Sequence, residues 1–441
     1  MLGFSMIQVV RKHAHKIDRA LRGEVLNLYK PFRWTPCFLH NMAERMIKST
    51  KKLPVIVKFR KGCFEAGCEE INRIFSDKFR CSLKKQFRLV SCCSAEVTPA
   101  ALEEILESCS HVEKIYLNRK VEAFLNTAVP AANADNIVRN GTRLTGKGVT
   151  IAIIDTGLYP HPDFNGRITG FVDFINGRSE PYDDNGHGTH CAGDAAGDGF
   201  ASGGNYRGPA PEANLIGVKV LNKMGAGSLD TVMEGVHWCI EYNEQNESEK
   251  IDIINLSLGS PAQRHEKETD DPMVHIVEEA WKRGIVVCAA AGNSGPEPQT
   301  IASPGISKKI ITVGALDDKG TVDRADDEAA GFSSRGPTIY GKTKPDILAP
   351  GVNIIAARSP GSYIDKSSKG SRVGAEYISL SGTSMATPVC AGIVALMLQH
   401  NPQLTPKRIK RRLRKGTVLW NDRDPDIYGA GYINGENSVP N

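Results

Sequence analysis

The chain predicts an α/β fold: a doubly wound parallel sheet preceded by a small α+β unit. Three observations carry this. Short apolar runs recur at 149–154, 215–221, 251–256, 285–290 and 310–315. They alternate with helical patterns at about 187–197, 228–243, 272–283, 384–400 and 405–415. Continuous apolar runs of strand length suit strands buried on both faces, and strand–helix alternation gathers them into one parallel sheet covered by helices. The third observation is charge. Residues 1–120 hold 23 Lys/Arg against 12 Asp/Glu, and residues 121–441 hold 32 against 38. A basic leader of net +11 therefore precedes an acidic body of net −6, a division that favours docking of one part on the other over nucleic-acid binding.

With 441 residues, 40% hydrophobic and 24% charged, the chain has ordinary globular composition and length enough for two to three domains. No apolar stretch approaches the length of a membrane span. The apolar run near the N-terminus is followed, not preceded, by Arg11 and Lys12 and has no small-residue cleavage site, so it does not read as a secretory signal. Eleven cysteines, seven of them before residue 110, show no disulfide-framework spacing. Together these features predict a protein of the reducing cytoplasm, without membrane or nucleic-acid partners.

Taken in order, residues 1–50 form a basic, partly apolar extension, with one short helix expected over Leu21–Tyr29 and ended by Pro31. Residues 51–125 predict the α+β unit. Leu53–Phe59, Phe87–Val97 and Val112–Leu117 read as strands, Glu65–Phe75 and the segment opened by Thr98-Pro99 as helices, and a fourth strand is expected near Val121–Leu125. This β-α-β-α-β order suits a ferredoxin-like sandwich. Cys92, Cys93 and Cys109 lack paired C-x-x-C spacing and read as core residues. Residues 126–441 carry the parallel sheet. Catalytic residues of such a sheet gather at the C-terminal ends of its strands, and two candidates sit there: Asp155 ends the 149–154 run, and Asn293 follows the 285–290 run.

The chemistry concentrates in three stretches. Ser381-Gly382-Thr383-Ser384-Met385-Ala386-Thr387-Pro388 precedes an apolar run, which puts Ser384 at a helix N-terminus with Pro388 expected in the first turn. Unsatisfied N–H groups and the positive dipole end favour an oxyanion there. Val149–Ile154 leads into Asp155-Thr156-Gly157, a carboxylate at a strand end. Asn185-Gly186-His187-Gly188-Thr189-His190 places His187 at a second helix start.

In this order and context, the three stretches resemble the subtilisin-like serine proteases (subtilases, peptidase family S8), and most closely the AprX-type intracellular bacterial members. The resemblance covers roughly residues 126–436. It implies a subtilisin-like fold and a serine endopeptidase of broad specificity working through an acyl-enzyme. Ser384 would be the nucleophile, His187 the base, Asp155 its orienting carboxylate and Asn293 the side-chain oxyanion donor. Leu256-Ser257-Leu258-Gly259 would pair with extended substrate and form one wall of the specificity pocket, and Ala290-Ala291-Gly292 the other, with Gly259 and Gly292 leaving room for a substrate side chain. The leader resembles the family's propeptide, an autoprocessed folding aid and inhibitor. An exopeptidase or a non-catalytic binding protein on the same scaffold are the rival readings.

Proteins or peptides are the implied partners, and no cofactor is required. Structural calcium stays open: Asp163 matches a family calcium ligand, but residues 197–206 supply no clear ligand set. His190 reads as a packed helix residue, and Cys191, at i+4 from His187, as a neighbour beneath it without a catalytic role. The acidic insertion Asp317–Glu328 reads as a solvated loop, and the basic segment Thr405–Lys415 as a surface helix with Ile409 and Leu413 inward.

Overall fold

Val149–Ile154 is built almost wholly of β-branched residues and alanine, and it forms the fully buried strand Thr150–Asp155 in the middle of the main sheet. The computed structural model describes residues 5–31, 37–78, 80–88, 91–118, 125–418 and 423–439. It divides into two compact units, Met1–Val121 and Glu122–Asn441.

In the second unit the sheet runs, strand by strand, Ile347–Pro350, Ile311–Asp317, Val286–Ala290, Ile253–Leu256, Thr150–Asp155, Asn214–Lys219 and Ile168–Asp173. All these neighbours pair parallel. Only the short Glu328–Ala329 pairs antiparallel, against Ile311–Asp317. Five strands lie where the apolar runs predicted. Ile168–Asp173 and Ile347–Pro350 are additional, the first a half-buried edge and the second only four residues long.

The expected helices appear as His187–Ala196, Leu229–Gln245, Pro272–Lys282, Thr383–His400 and Pro406–Gly416. They cover both faces, because successive strand residues point to opposite sides. Ile154, Val218 and Val220 crowd Gly235 of one helix, whereas the adjacent Asp155 meets Gly188 of another. The first and fourth helices pack on each other, and a Cβ on Gly392 would stand 2.6 Å from the Ala195 carbonyl. This close crossing fixes the helix of Ser384 against the helix of His187.

In Pro406–Gly416, Ile409 and Leu413 are fully buried, and Lys410 Nζ is spent on Asp346 at 2.9 Å and the Ile310 carbonyl at 2.7 Å. The insertion after Ile311–Asp317 is largely the exposed loop expected of it, with two exceptions. Asp318 and Asp327 are buried, and burial pushes their carboxyls up to about 6 and about 7. Among the described residues no helix is long and apolar enough to cross a membrane.

The first unit has a four-stranded antiparallel sheet in the order Ser82–Phe87, Cys92–Val97, Leu53–Phe59, Val112–Leu117, with helices Phe64–Ser76 and Pro99–Ser108 between strands. The single strand expected over 87–97 is a hairpin, turned at Ser91 with φ +50. Val121–Phe124, the expected fourth strand, lies outside the described residues, and Leu125–Ala131 is helical.

Residues 1–50 do not stand apart as an extension. Helices Ser5–Lys12, Arg19–Tyr29 and Cys37–Thr50 put Met6, Ile7, Leu21, Val25, Tyr29 and Ile47 into one core with Val55, Val57, Leu102 and Ile105. Ile17 bridges to Ile115, and Asp18 Oδ1 caps its helix through the Leu21 N–H while accepting the Leu117 N–H at 3.1 Å. The ten cysteines whose side chains are described are free thiols.

Candidate active site

Asp155 ends its strand because Thr156-Gly157 turns the chain sharply there. Gly157 has φ +127, and a Cβ on it would lie 2.2 Å from the Tyr182 carbonyl, so only glycine fits. Gly188 sits directly opposite, where a Cβ would lie 2.3 Å from the Gly157 carbonyl. Two glycines thus let the start of the His187 helix close onto the strand end. His187 Nδ1 meets Asp155 Oδ1 at 2.8 Å, and the same oxygen accepts the Thr156 N–H at 2.7 Å. Asp155 is fully buried, while the imidazole keeps 24% exposure. Burial opposes charging of His187, but the Asp155 carboxylate outweighs it and holds the imidazole pKa well above its ordinary value. The Cys191 thiol lies 3.8 Å from Nδ1. Burial pushes it up to about 11, so it is neutral at physiological pH and Asp155 is the charge that matters.

Asp183, which sequence reading passed over, holds this helix in place. Its carboxylate accepts from Thr156 Oγ1 and the N–H groups of Asn185 and Gly186 on one oxygen, and from the N–H and Oγ1 of Thr189 on the other, at 2.7–3.1 Å. The signal was the run Asp183-Asp184-Asn185-Gly186 before a helix start, where short acceptors satisfy the orphan donors of a first turn. Asp183→Ala is expected to destabilise the protein by about 3 kcal/mol or more, since several buried donors lose an ionised acceptor. The shift of the urea midpoint checks this.

Ser384 is the second residue of the helix Thr383–His400. Pro388 therefore lies past the first turn, not in it. Its missing N–H is the one that would bond the Ser384 carbonyl. That carbonyl instead accepts from Ser257 Oγ at 2.8 Å and Cys191 Sγ at 3.4 Å, and Ser257 Oγ in turn accepts from Asn255 Nδ2 at 2.9 Å. The proline frees an acceptor, and two neighbouring elements use it to pin the serine backbone. The Ser384 hydroxyl donates to the Ser257 carbonyl at 2.9 Å. Asn293 Oδ1 accepts from the Thr383 N–H and Oγ1 at 2.9 and 3.0 Å. This fixes the amide so that its Nδ2 donor is the end left for the cleft.

His187, Ser384, Asn293, Ser257, Leu258, Gly259, Ala290 and Gly292 all line one cleft of about 870 Å³. Leu256 and Ala291 do not: both are fully buried and face the core. The two glycines line the cleft and are also demanded by packing. A Cβ on Gly259 would stand 2.8 Å from the Ser303 carbonyl, and one on Gly292 2.8 Å from Ser334 Oγ. His190 is a buried structural residue, bonded to Asp194 at 2.9 Å and to two backbone carbonyls at 3.1 Å. Asp163, the one residue that matches a calcium ligand of the family, is already engaged. The Tyr377 hydroxyl and the Ala201 N–H already donate to its carboxylate at 3.0 Å, and donors aimed at a carboxylate exclude a cation from those lone pairs.

A sequence profile of the subtilase family (peptidase S8) matches residues 146–431, well over half of the chain. The chain belongs to the subtilase family. This subtilase is 61% identical over 440 residues to serine protease AprX of Bacillus subtilis (strain 168), covering the whole of both proteins. It is 31% identical to subtilisin E of the same organism over 91% of this chain and 94% of that one. Among solved structures, sphericase superposes with a TM-score of 0.57 at 28% identity, over 70% of this chain and 97% of sphericase. A cold-adapted subtilisin-like serine proteinase gives 0.51 at 30% identity, over 70% and 97%. The chain is thus a subtilisin-type serine endopeptidase acting on protein substrates.

Proposed function

We propose that this subtilase is a broad-specificity endopeptidase whose reaction runs through Asp155, His187, Ser384 and Asn293. The observation that carries the reading is the 2.8 Å pair between Asp155 and His187, sharing a cleft with a serine at a helix N-terminus. Ser384 Oγ turns from the Ser257 carbonyl to His187 Nε2, loses its proton to the imidazole and attacks the scissile carbonyl. Asp155 keeps the Nδ1 proton in place and stabilises the imidazolium without becoming protonated. The Asn293 side-chain amide and the Ser384 N–H donate to the oxyanion. His187 then protonates the leaving amine, and water repeats the sequence on the acyl-enzyme.

Because His187 must be neutral to accept the proton, activity rises with pH through its pKa and falls below it. An imidazole without charged neighbours titrates at about 6.5. The Asp155 contact moves the limb upward, so kcat/KM is expected to rise into the alkaline range and plateau there. A pH–rate profile peaking under acid conditions would contradict a histidine base.

Residues 51–125 act, on this reading, as an autoprocessed inhibitory leader, in a protein that works in the cytoplasm. Support comes from the β-α-β-β-α-β unit preceding the protease unit and from their opposite net charges. The test is to purify wild-type and Ser384→Ala chains side by side and read their N-termini. The wild type is expected to begin near residue 126 and to release internal fragments from denatured casein, with the variant staying full length. A wild type that remains intact yet fully active would make the leader an accessory domain. Release of tripeptides alone would make the enzyme an exopeptidase.

A further inference from the structure

The first unit contains a side-chain cluster that proteolysis does not use. Glu70 lies on the helix Phe64–Ser76, Cys109 caps the helix Pro99–Ser108, and His111 stands just before the strand Val112–Leu117. The two helices pack together. This brings Glu70 Oε2 to 2.9 Å from Cys109 Sγ and 2.8 Å from His111 Nδ1. All three donor atoms lie within 4.8 Å of one another. Cys109 is buried, while Glu70 and His111 keep 24% and 34% side-chain exposure. The sulfur is the floor of the cluster, and the imidazole and carboxylate form an open rim.

Two features give this arrangement a ligand. A thiolate, an imidazole and a carboxylate form a mixed set that suits borderline-soft divalent ions of the zinc type and not calcium or magnesium. Finally, one carboxylate oxygen accepts from both thiol and imidazole, so two protons occupy the space between three donor atoms. Metal–ligand bonds of about 2.0–2.3 Å set tetrahedral donor separations of about 3.3–3.7 Å. Opening the present contacts to that spacing moves each side chain by well under the width of an atom.

We propose that Glu70, Cys109 and His111 form a zinc-type divalent metal site in the first unit, with the fourth position left to water. On binding, the Cys109 thiol releases its proton to solvent and the imidazole proton moves from Nδ1 to Nε2. The three lone pairs then face the metal with no change of oxidation state. The ion ties the helix Phe64–Ser76 to the 109–111 turn and stabilises the folded unit by mass action.

Cobalt(II) is the probe, because a cobalt–thiolate bond gives a charge-transfer absorption and zinc displaces it silently. The protein is the full chain, reduced, carrying Ser384→Ala so that it does not digest itself. One equivalent of cobalt is expected to produce the band with release of about one proton per metal, and zinc to abolish it. Cys109→Ser removes the band, and His111→Ala weakens cobalt binding at least about ten-fold. Cys191→Ala keeps the band, which separates this site from Asp155, His187 and Cys191, whose donor atoms also lie within 4.8 Å of one another. Should Cys109→Ser fail to fold, His111→Ala, at the exposed rim, carries the test alone. No band, a band that survives Cys109→Ser, a band lost in Cys191→Ala, or unchanged affinity in His111→Ala would overturn the proposal.

Discussion

A Ser384→Ala chain is expected to fold normally and to lose proteolysis by about a million-fold, the scale of removing a nucleophile from a working triad. Stability should be spared because the hydroxyl makes one hydrogen bond, to the Ser257 carbonyl, while the contacts that pin this position use the Ser384 backbone carbonyl and survive the change. Turnover of a chromogenic peptide, beside a melting curve that overlays the wild type, is the measurement. Adding His187→Ala to Ser384→Ala should cost almost nothing more, since the two residues act as a unit. A second loss of comparable size would mean that they act separately.

The next largest effect belongs to Asp155. Asp155→Asn keeps the shape of the strand end but presents an amide to Nδ1, favours the wrong tautomer and removes the charge that stabilises the imidazolium. A fall in kcat of about ten-thousand-fold is expected. The same substitution removes the group that raises the His187 pKa, so the residual activity should show its rising limb displaced to lower pH. A merely structural aspartate would lower activity without moving the limb. The buried, unpartnered Asp155 Oδ2 marks a carboxylate whose burial is offset through its other oxygen alone, and this concentrates its effect on His187.

Much of the architecture was legible because burial writes itself into composition. A strand buried on both faces is apolar nearly throughout, as Val286–Ala290 is and as Thr150–Asp155 is between its two ends, and Asp155 and His187 sit where such an element meets a helix. What escaped lay at edges. Ser82–Phe87 is a largely exposed edge strand of sequence SLKKQF, so it carries no apolar signature and its hairpin merged with the following run. The helices of residues 1–50 are short and amphipathic, and their apolar faces find a core only in strands encoded later in the chain. The site was legible in its residue types but not in its supports. Asp183 had a local signal, the short polar run before a helix start, that was passed over, whereas the bond from the Ser257 hydroxyl to the Ser384 carbonyl joins segments far apart in sequence, which no local pattern announces. The side chains of Leu256 and Ala291, two residues the motif placed in the cleft walls, are packed into the interior.

The central claim is that a single serine, activated by His187, carries the reaction. It is tested most directly by treating the active protein with a serine-directed organophosphate and locating the adduct by mass spectrometry. One adduct, on Ser384, forming in step with loss of activity and not forming in His187→Ala, is the predicted result. An adduct on another residue, or full activity with Ser384 modified, would contradict it.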